Sequence, residues 1–302
     1  MQQGKKVNRI IHQSTVKHLR FHFSFFLLPV FIFAVSQVDT IHWEETLLAF
    51  FILHFLMFPA SNGYNSYQDR DETPIGGLKS PPKVTRNLFY VTLAFDLLAL
   101  GLGLLISLTF SVLCFIFIAM SRAYSYRGIR LKQFPIIGYI TVFIFQGGFI
   151  YLISVHAATI APISEFLTLN HLLCMAISSL FIGSMYPLTQ IYQHESDRKD
   201  GVTSISYLLG YHGTFIFSGV LFSAATGLMV YYFIVNNKPF AIGLFLLFVL
   251  PMVIKMTGWF AKVMKDKHEA NFENTMAMNM ISSVSMNLYF SILFLNNHLI
   301  WF

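Results

Sequence analysis

The sequence predicts an all-α polytopic membrane protein, a single membrane domain over residues 1–302 built as a bundle of nine transmembrane helices. Three observations lead there. Of the 302 residues, 55% are hydrophobic and only 11% charged, against roughly a quarter charged in an ordinary soluble domain, so the chain lacks the charges to coat a globule of its size. Apolar runs of the length that crosses a bilayer, roughly 17–25 residues, recur along the whole chain. Basic residues gather in alternate connectors between those runs, as they do when Lys and Arg stay on one side of a membrane.

The runs cover residues 21–38, 46–61, 87–107, 109–121, 135–157, 168–190, 206–235, 239–258 and 276–297. The first follows a polar, basic stretch and carries no small-residue cleavage site, so it reads as a retained span. Only Ser107-Leu108-Thr109 separates the third from the fourth, and the two also read as one long hairpin. Ahead of the first run stand Lys5, Lys6, Arg9, Lys17 and Arg20, whereas the first connector holds Asp39, Glu44 and Glu45 and no Lys or Arg. The alternation continues with Arg70, Lys79, Lys83 and Arg86, then Arg122, Arg127, Arg130 and Lys132, then Arg198 and Lys199, then Lys255, Lys262, Lys265 and Lys267. Nineteen of the 20 basic residues thus fall on one side and Lys238 on the other, which predicts a cytoplasmic N-terminus and an outside C-terminus. Connectors 62–86, 122–134 and 191–205 then share the cytoplasmic side and form a polar cap over an active site.

The net charge of +6 suits anionic headgroups or a phosphorylated substrate. Nucleic acid is excluded as a partner, because the basic residues form no single stripe with interleaved aromatics. Cys114 and Cys174 both lie inside apolar runs and read as buried thiols rather than a disulfide or a metal site.

The acids locate the chemistry. Six of the 14 fall in two short stretches, Asp69, Asp71 and Glu72, then Glu195, Asp197 and Asp200. If the second span continues as a helix, Asn62, Asn65, Asp69 and Glu72 are spaced to share one face, with Pro74 and Gly76-Gly77 ending it. Gln190, Gln193, Asp197 and Asp200 repeat the same spacing after the sixth span. Ladders of oxygen donors suit a hard cation, and Mg²⁺ is typically held through a few carboxylates, waters and substrate phosphates. Lys79, Arg127, Arg130 and Lys132, on the same side, are candidates to take the phosphate oxygens that the metal leaves free. A diphosphate held at a membrane surface implies an isoprenoid tail in the lipid-facing bundle.

On these residues the chain resembles the UbiA-type membrane prenyltransferase superfamily, over most of its length. Asn65 and Asp69 match the first two anchors of the family's N-x-x-x-D-x-x-x-D motif after its second helix, with Thr73 at the third. Gln193 and Asp197 stand at the anchors of the D-x-x-x-D motif after the sixth helix. Tyr124-Ser125-Tyr126-Arg127-Gly128-Ile129-Arg130-Leu131-Lys132 is similar to the Y-S-x-P-P-x-R-L-K connector, with Arg127-Gly128 replacing the Pro pair. The resemblance implies Mg²⁺-dependent transfer of a prenyl group from a polyprenyl diphosphate to an acceptor, often an aromatic quinone precursor. It implies catalytic roles for Asn65, Asp69 and Asp197. Asp71, Glu72, Glu195 and Asp200 join Asp69 and Asp197 as expected metal ligands, and Asn62, Tyr67, Tyr124, Gln193 and His54 as expected pocket residues. Tyr64, Tyr126, Phe145 and Tyr192 are further aromatic candidates for shielding an allylic cation.

Other residues keep two readings. Asp96, in the middle of the third span, is either paired within the bundle or functional. His54 either lines an acceptor pocket or packs in the core. Gln146-Gly147-Gly148 resembles a glycine-rich family site, while small residues in a span also permit close helix packing. Two other functions remain beside prenyl transfer: a cyclase of the same superfamily working without an acceptor, and a non-enzymatic cation transporter. The transporter fits less well, since its site would lie near the midplane on broken helices.

Overall fold

A computed structural model describes residues 12–70 and 72–298 of the chain. Eight helices are long and apolar enough to cross a membrane: α3 (Trp43–Asp69), α4 (Arg86–Ile106), α5 (Leu108–Ser125), α6 (Pro135–Thr159), α7 (Leu169–Lys199), α8 (Ile205–Val235), α9 (Pro239–Lys265) and α10 (Phe272–His298). They are preceded by a short α1 (Gln13–Leu19), a 3₁₀ segment (Phe21–Phe26) and α2 (Leu28–Ser36). Gln13–Phe26 and Leu28–Ser36 meet at 41° and make a ninth span if counted as one broken crossing. Among the described residues the only extended pairing is a bridge between Ile75 and Leu78. The protein is therefore an all-α, multi-pass membrane bundle.

Local chemistry explains where the helices break. The first span is not one straight helix because Pro29 falls in the first turn of α2, where its fixed φ suits a new start and its missing N–H costs nothing. In α3, Ile52–Met57 widens to a π-helical turn just ahead of Pro59, a common way to absorb the clash of a proline ring with the preceding turn. Ser107 separates α4 from α5 by itself: its backbone is extended, and its hydroxyl accepts from Phe110 N at 2.9 Å as an N-cap. The two runs are thus two helices packed as a tight hairpin. Gly210 interrupts α8 at φ 66°, ψ 178°, a conformation essentially reserved for glycine.

The bundle closes as a ring. α3 packs on α4 and α4 on α5, while α6, α7, α8, α9 and α10 follow one another round to α2, which also touches α6. Phe58, Phe110, Tyr151, Phe245, Trp259 and Tyr289 fill its interior, whereas Leu97, Leu105, Ile216, Leu247 and Ile254 are exposed on its outside. Large apolar residues on the exterior are what a lipid solvent permits and water does not.

Candidate active site

One polar cavity opens where α3, α5 and α7 end. Asn62, Asn65 and Asp69 of α3 line one wall, and Gln190, Gln193, Asp197 and Asp200 line another. The spacing of each set places it on one face as expected, although Ile191–Gln193 tightens to a 3₁₀ turn after Pro187. The first ladder is shorter than the sequence suggests. α3 ends at Asp69 because Arg70 turns left-handed (φ 55°, ψ 39°) with its N–H on Ser66 O, so Glu72 leaves that face before Pro74 is reached. Asp71 lies outside the described residues. Glu72 and Thr73 instead line a shallow outer mouth with Glu195 and Lys199, which shares Asp69 and Asp200 with the inner cavity.

The connector after α5 ties the two walls together. Arg127 Nε donates to Gln68 O at 2.7 Å and its Nη2 to Asp200 Oδ1 at 3.2 Å. Arg130 pairs with the Asp200 carboxylate, donates to Asp200 O at 3.0 Å, and stands 3.6 Å from Asp69 Oδ1. Lys132 pairs with Asp69 Oδ2. Of the four expected phosphate-binding cations, only Lys132 lines the cavity. Arg127 and Arg130 instead hold Asp200 from the connector, and Lys79 is drawn away to an exposed pair with Glu273 of α10. On the cavity's inner side Ser61 and Ser121 share a 2.6 Å hydrogen bond and Asn65 Nδ2 donates to Ser125 Oγ at 3.2 Å, fixing α3 against α5.

A hard cation fits these residues. The donors are all oxygens, and two buried acceptors on the cavity wall, Asp69 Oδ1 and Gln190 Oε1, have no hydrogen-bond partner among the described residues. No three His, Cys, Asp or Glu side chains converge there among the described residues.

A second cavity adjoins the first. Phe23, Gln146, Tyr186 and Thr189 line both, and the second runs on between α2 and α10 over α7. Tyr124 and Tyr186 hydroxyls are hydrogen-bonded, and Gln190 Nε2 donates to Tyr186 Oη at 2.8 Å.

Sequence reasoning had no place for Tyr186, whose only signal was a phenol one residue before Pro187 in an apolar run. It counted Arg20 only as a flanking charge. Arg20 lines the polar cavity and donates to Asn62 O at 2.9 Å and Gly76 O at 3.1 Å.

Other expected residues lie elsewhere. His54 lines neither cavity; it is buried among Phe31, Phe50 and Phe58, with ring centroids 5.8, 4.9 and 5.0 Å away. Tyr67 turns outward onto Phe89 at 5.3 Å, because that face of α3 meets α4. Asp96 is paired with Arg122 of α5. Gly147 and Gly148 pack on Ser179, where a Cβ on Gly147 would come within 2.4 Å of the Ser179 Cα, so close packing accounts for them, while Gln146 alone reaches the cavities.

The fold has solved relatives. A UbiA homologue from Archaeoglobus fulgidus bound to GPP and Mg²⁺ superposes with TM-score 0.65 at 17% identity, covering 93% of this chain and 99% of that one. A UbiA homologue from Aeropyrum pernix K1 gives 0.62 at 18%, covering 88% and 97%, and a digeranylgeranylglyceryl phosphate synthase gives 0.58 at 17%, covering 94% and 98%. No curated protein matches by sequence. The profile of the UbiA prenyltransferase family matches residues 25–281; the chain belongs to that family.

Proposed function

We propose that the protein transfers a prenyl group from a polyprenyl diphosphate to a lipid-pathway acceptor, an aromatic quinone precursor or its relative, with Mg²⁺. The observation that carries this reading is the junction of a polar, carboxylate-lined cavity with an apolar one at Gln146, Tyr186 and Thr189. A diphosphate with a hydrocarbon tail needs such a pair of environments. The A. fulgidus structures with GPP or DMAPP and Mg²⁺ support the same substrate class.

Asp69 and Asp197 would hold Mg²⁺, with the amide oxygens of Asn65, Gln190 and Gln193 beside them and Glu72 and Glu195 toward the mouth, while Asp200 is engaged by Arg127 and Arg130. When bound, the ion supplies charge neutralisation of the leaving diphosphate. Lys132 presents a cation to the same oxygens, held in place by Asp69. Arg127 and Arg130 position Asp200, and through it the connector that carries Lys132. The C1–O bond breaks with its electron pair on the diphosphate, an acceptor electron pair forms the new bond to C1, and the acceptor's proton passes to a diphosphate oxygen. Aromatic walls at the junction exclude water from the allylic cation. The cavity end of the bundle, with its three cap connectors, faces the cytoplasm, following the distribution of Lys and Arg.

Release of diphosphate from geranyl or longer prenyl diphosphates by the protein in lipid nanodiscs tests the reading. Asp69→Asn and Asp197→Asn are expected to abolish Mg²⁺-dependent release while leaving the bundle folded. Full activity in either variant would overturn the assignment of the site.

A further inference from the structure

We propose that Tyr186 is a positioning residue: it gives its own proton to Tyr124 and accepts from Gln190, and so holds the Gln190 amide with its oxygen, not its nitrogen, turned to the cation. This rests on the prenyltransferase reading above, which sets Gln190 Oε1 beside Mg²⁺, and adds what fixes the orientation of that oxygen.

Tyr186 and Gln190 are four residues apart on α7 and share a face, and both line the polar cavity. An amide in this place has a weakness that a carboxylate lacks. Both ends of a carboxylate accept, whereas an amide has one accepting end and one donating end, and a half-turn about the last side-chain bond exchanges them. In a cavity also lined by Asp69 and Asp197, the exchange would set two N–H groups against the cation in place of an oxygen. A partner that tells the two ends apart prevents this. Gln190 Nε2 donates to Tyr186 Oη at 2.8 Å, and Gln190 Oε1 is left buried with no hydrogen-bond partner among the described residues.

A tyrosine hydroxyl alone would not decide the matter, because it donates as well as accepts. Its proton could go to Oε1 and turn the amide the other way. Tyr124 takes that proton up: the two hydroxyls are hydrogen-bonded to each other, between α5 and α7. With its proton given to Tyr124, Tyr186 has only lone pairs to offer Gln190, and only an N–H fits them. The hydrogen bonds then run one way, from Gln190 through Tyr186 to Tyr124, and bonds in such a chain polarise one another. A cation at Oε1 draws charge from the amide and makes its N–H the better donor, so it strengthens the contact that keeps the oxygen in place. The reverse chain, from Tyr124 through Tyr186 to Oε1, would turn Nε2 to the cavity, and the contact present is through Nε2 instead. The phenol is itself placed by packing, its ring centroid 6.4 Å from that of Tyr139.

The test titrates Mg²⁺ calorimetrically into the full chain in phosphatidylcholine nanodiscs with geranyl thiolodiphosphate, a donor too slow to react, against empty nanodiscs with the same thiolodiphosphate. Tyr186→Phe removes the hydroxyl and keeps the ring. It is expected to weaken Mg²⁺ binding about three- to tenfold, the scale of leaving one polar side chain free to turn. Gln190→Glu supplies a group whose two ends are alike. Adding Tyr186→Phe to Gln190→Glu should therefore change the Mg²⁺ dissociation constant of that single variant by less than about twofold, whereas a merely structural role for the hydroxyl would weaken both backgrounds alike. Tyr124→Phe frees the Tyr186 proton for Oε1 and should reproduce the same pattern, which keeps the test decisive if Tyr186→Phe does not fold. Equal weakening in the two backgrounds, or an unchanged constant in the folded Tyr186→Phe variant, would overturn the proposal and leave the reading of the site standing. Absence of Mg²⁺ binding to the unaltered chain would overturn both.

Discussion

Arg122 of α5 donates through Nε to Asp96 Oδ2 of α4 at 2.9 Å, and its guanidinium carbon lies 3.9 Å from the centroid of the Tyr64 ring on α3. One cation thereby joins three consecutive spans. Removing one partner of a buried pair leaves the other charge uncompensated, at a cost of about 3–5 kcal/mol. Asp96→Ala is expected to lower the thermal unfolding temperature in detergent substantially. The double variant Asp96→Ala with Arg122→Ala should recover part of that loss, which a double-mutant cycle with Arg122→Ala alone measures.

Gly147 is expected to tolerate no side chain. Its Cβ would lie 2.4 Å from the Ser179 Cα and 2.7 Å from the Ser179 nitrogen, both backbone atoms that cannot swing aside. Gly147→Ala forces α6 from α7, and overpacking of this kind costs about 1–3 kcal/mol or more. Because Gly148 N donates to Ser179 Oγ at 2.9 Å, the shift also stretches a buried hydrogen bond. Loss of unfolding temperature checks this.

Asp200→Asn should act on the connector rather than on the metal. The carboxylate pairs with Arg127 and Arg130, and charge-assisted hydrogen bonds are each worth about 1.5–3 kcal/mol. Freed from Asp200, the connector holds Lys132 less firmly, so kcat/KM for the prenyl diphosphate is expected to fall about 10–100-fold. The apparent Mg²⁺ requirement should stay where it was, whereas Asp69→Asn should raise it. Steady-state kinetics at varied Mg²⁺ separates the two.

Chelation is the simplest test of the cation. EDTA should abolish diphosphate release, and Mg²⁺ added in excess should restore it without refolding, because the bundle's helices close through apolar packing. Far-UV circular dichroism recorded alongside is expected not to change.

The spans and the two polar ladders were legible because their signals are periodic: apolar runs of bilayer length, and oxygen-bearing side chains three and four residues apart. What stayed hidden depended on partners distant in sequence. Nothing near Arg127 or Arg130 announces that Asp200, 73 and 70 residues later, takes up their charge. Glu72 fell off its ladder because Arg70 turned left-handed, and a helix end of that kind has no glycine to mark it here. His54 kept two readings on its own helix, and the packing of Phe31, Phe50 and Phe58 around it decides for the core.

The break at Gly210 also divides α8 into two parts. Thr214 Oγ1 lies 2.7 Å from Gly210 O and 3.1 Å from Ser206 O, so its one hydroxyl proton is within reach of either carbonyl that the break frees. Residues 205–209 are instead anchored from the site, where Ser206 meets His194 at 2.8 Å. The rest of α8 leaves that stretch at the angle set by a glycine joint, which Thr214 spans through its contacts with Ser206.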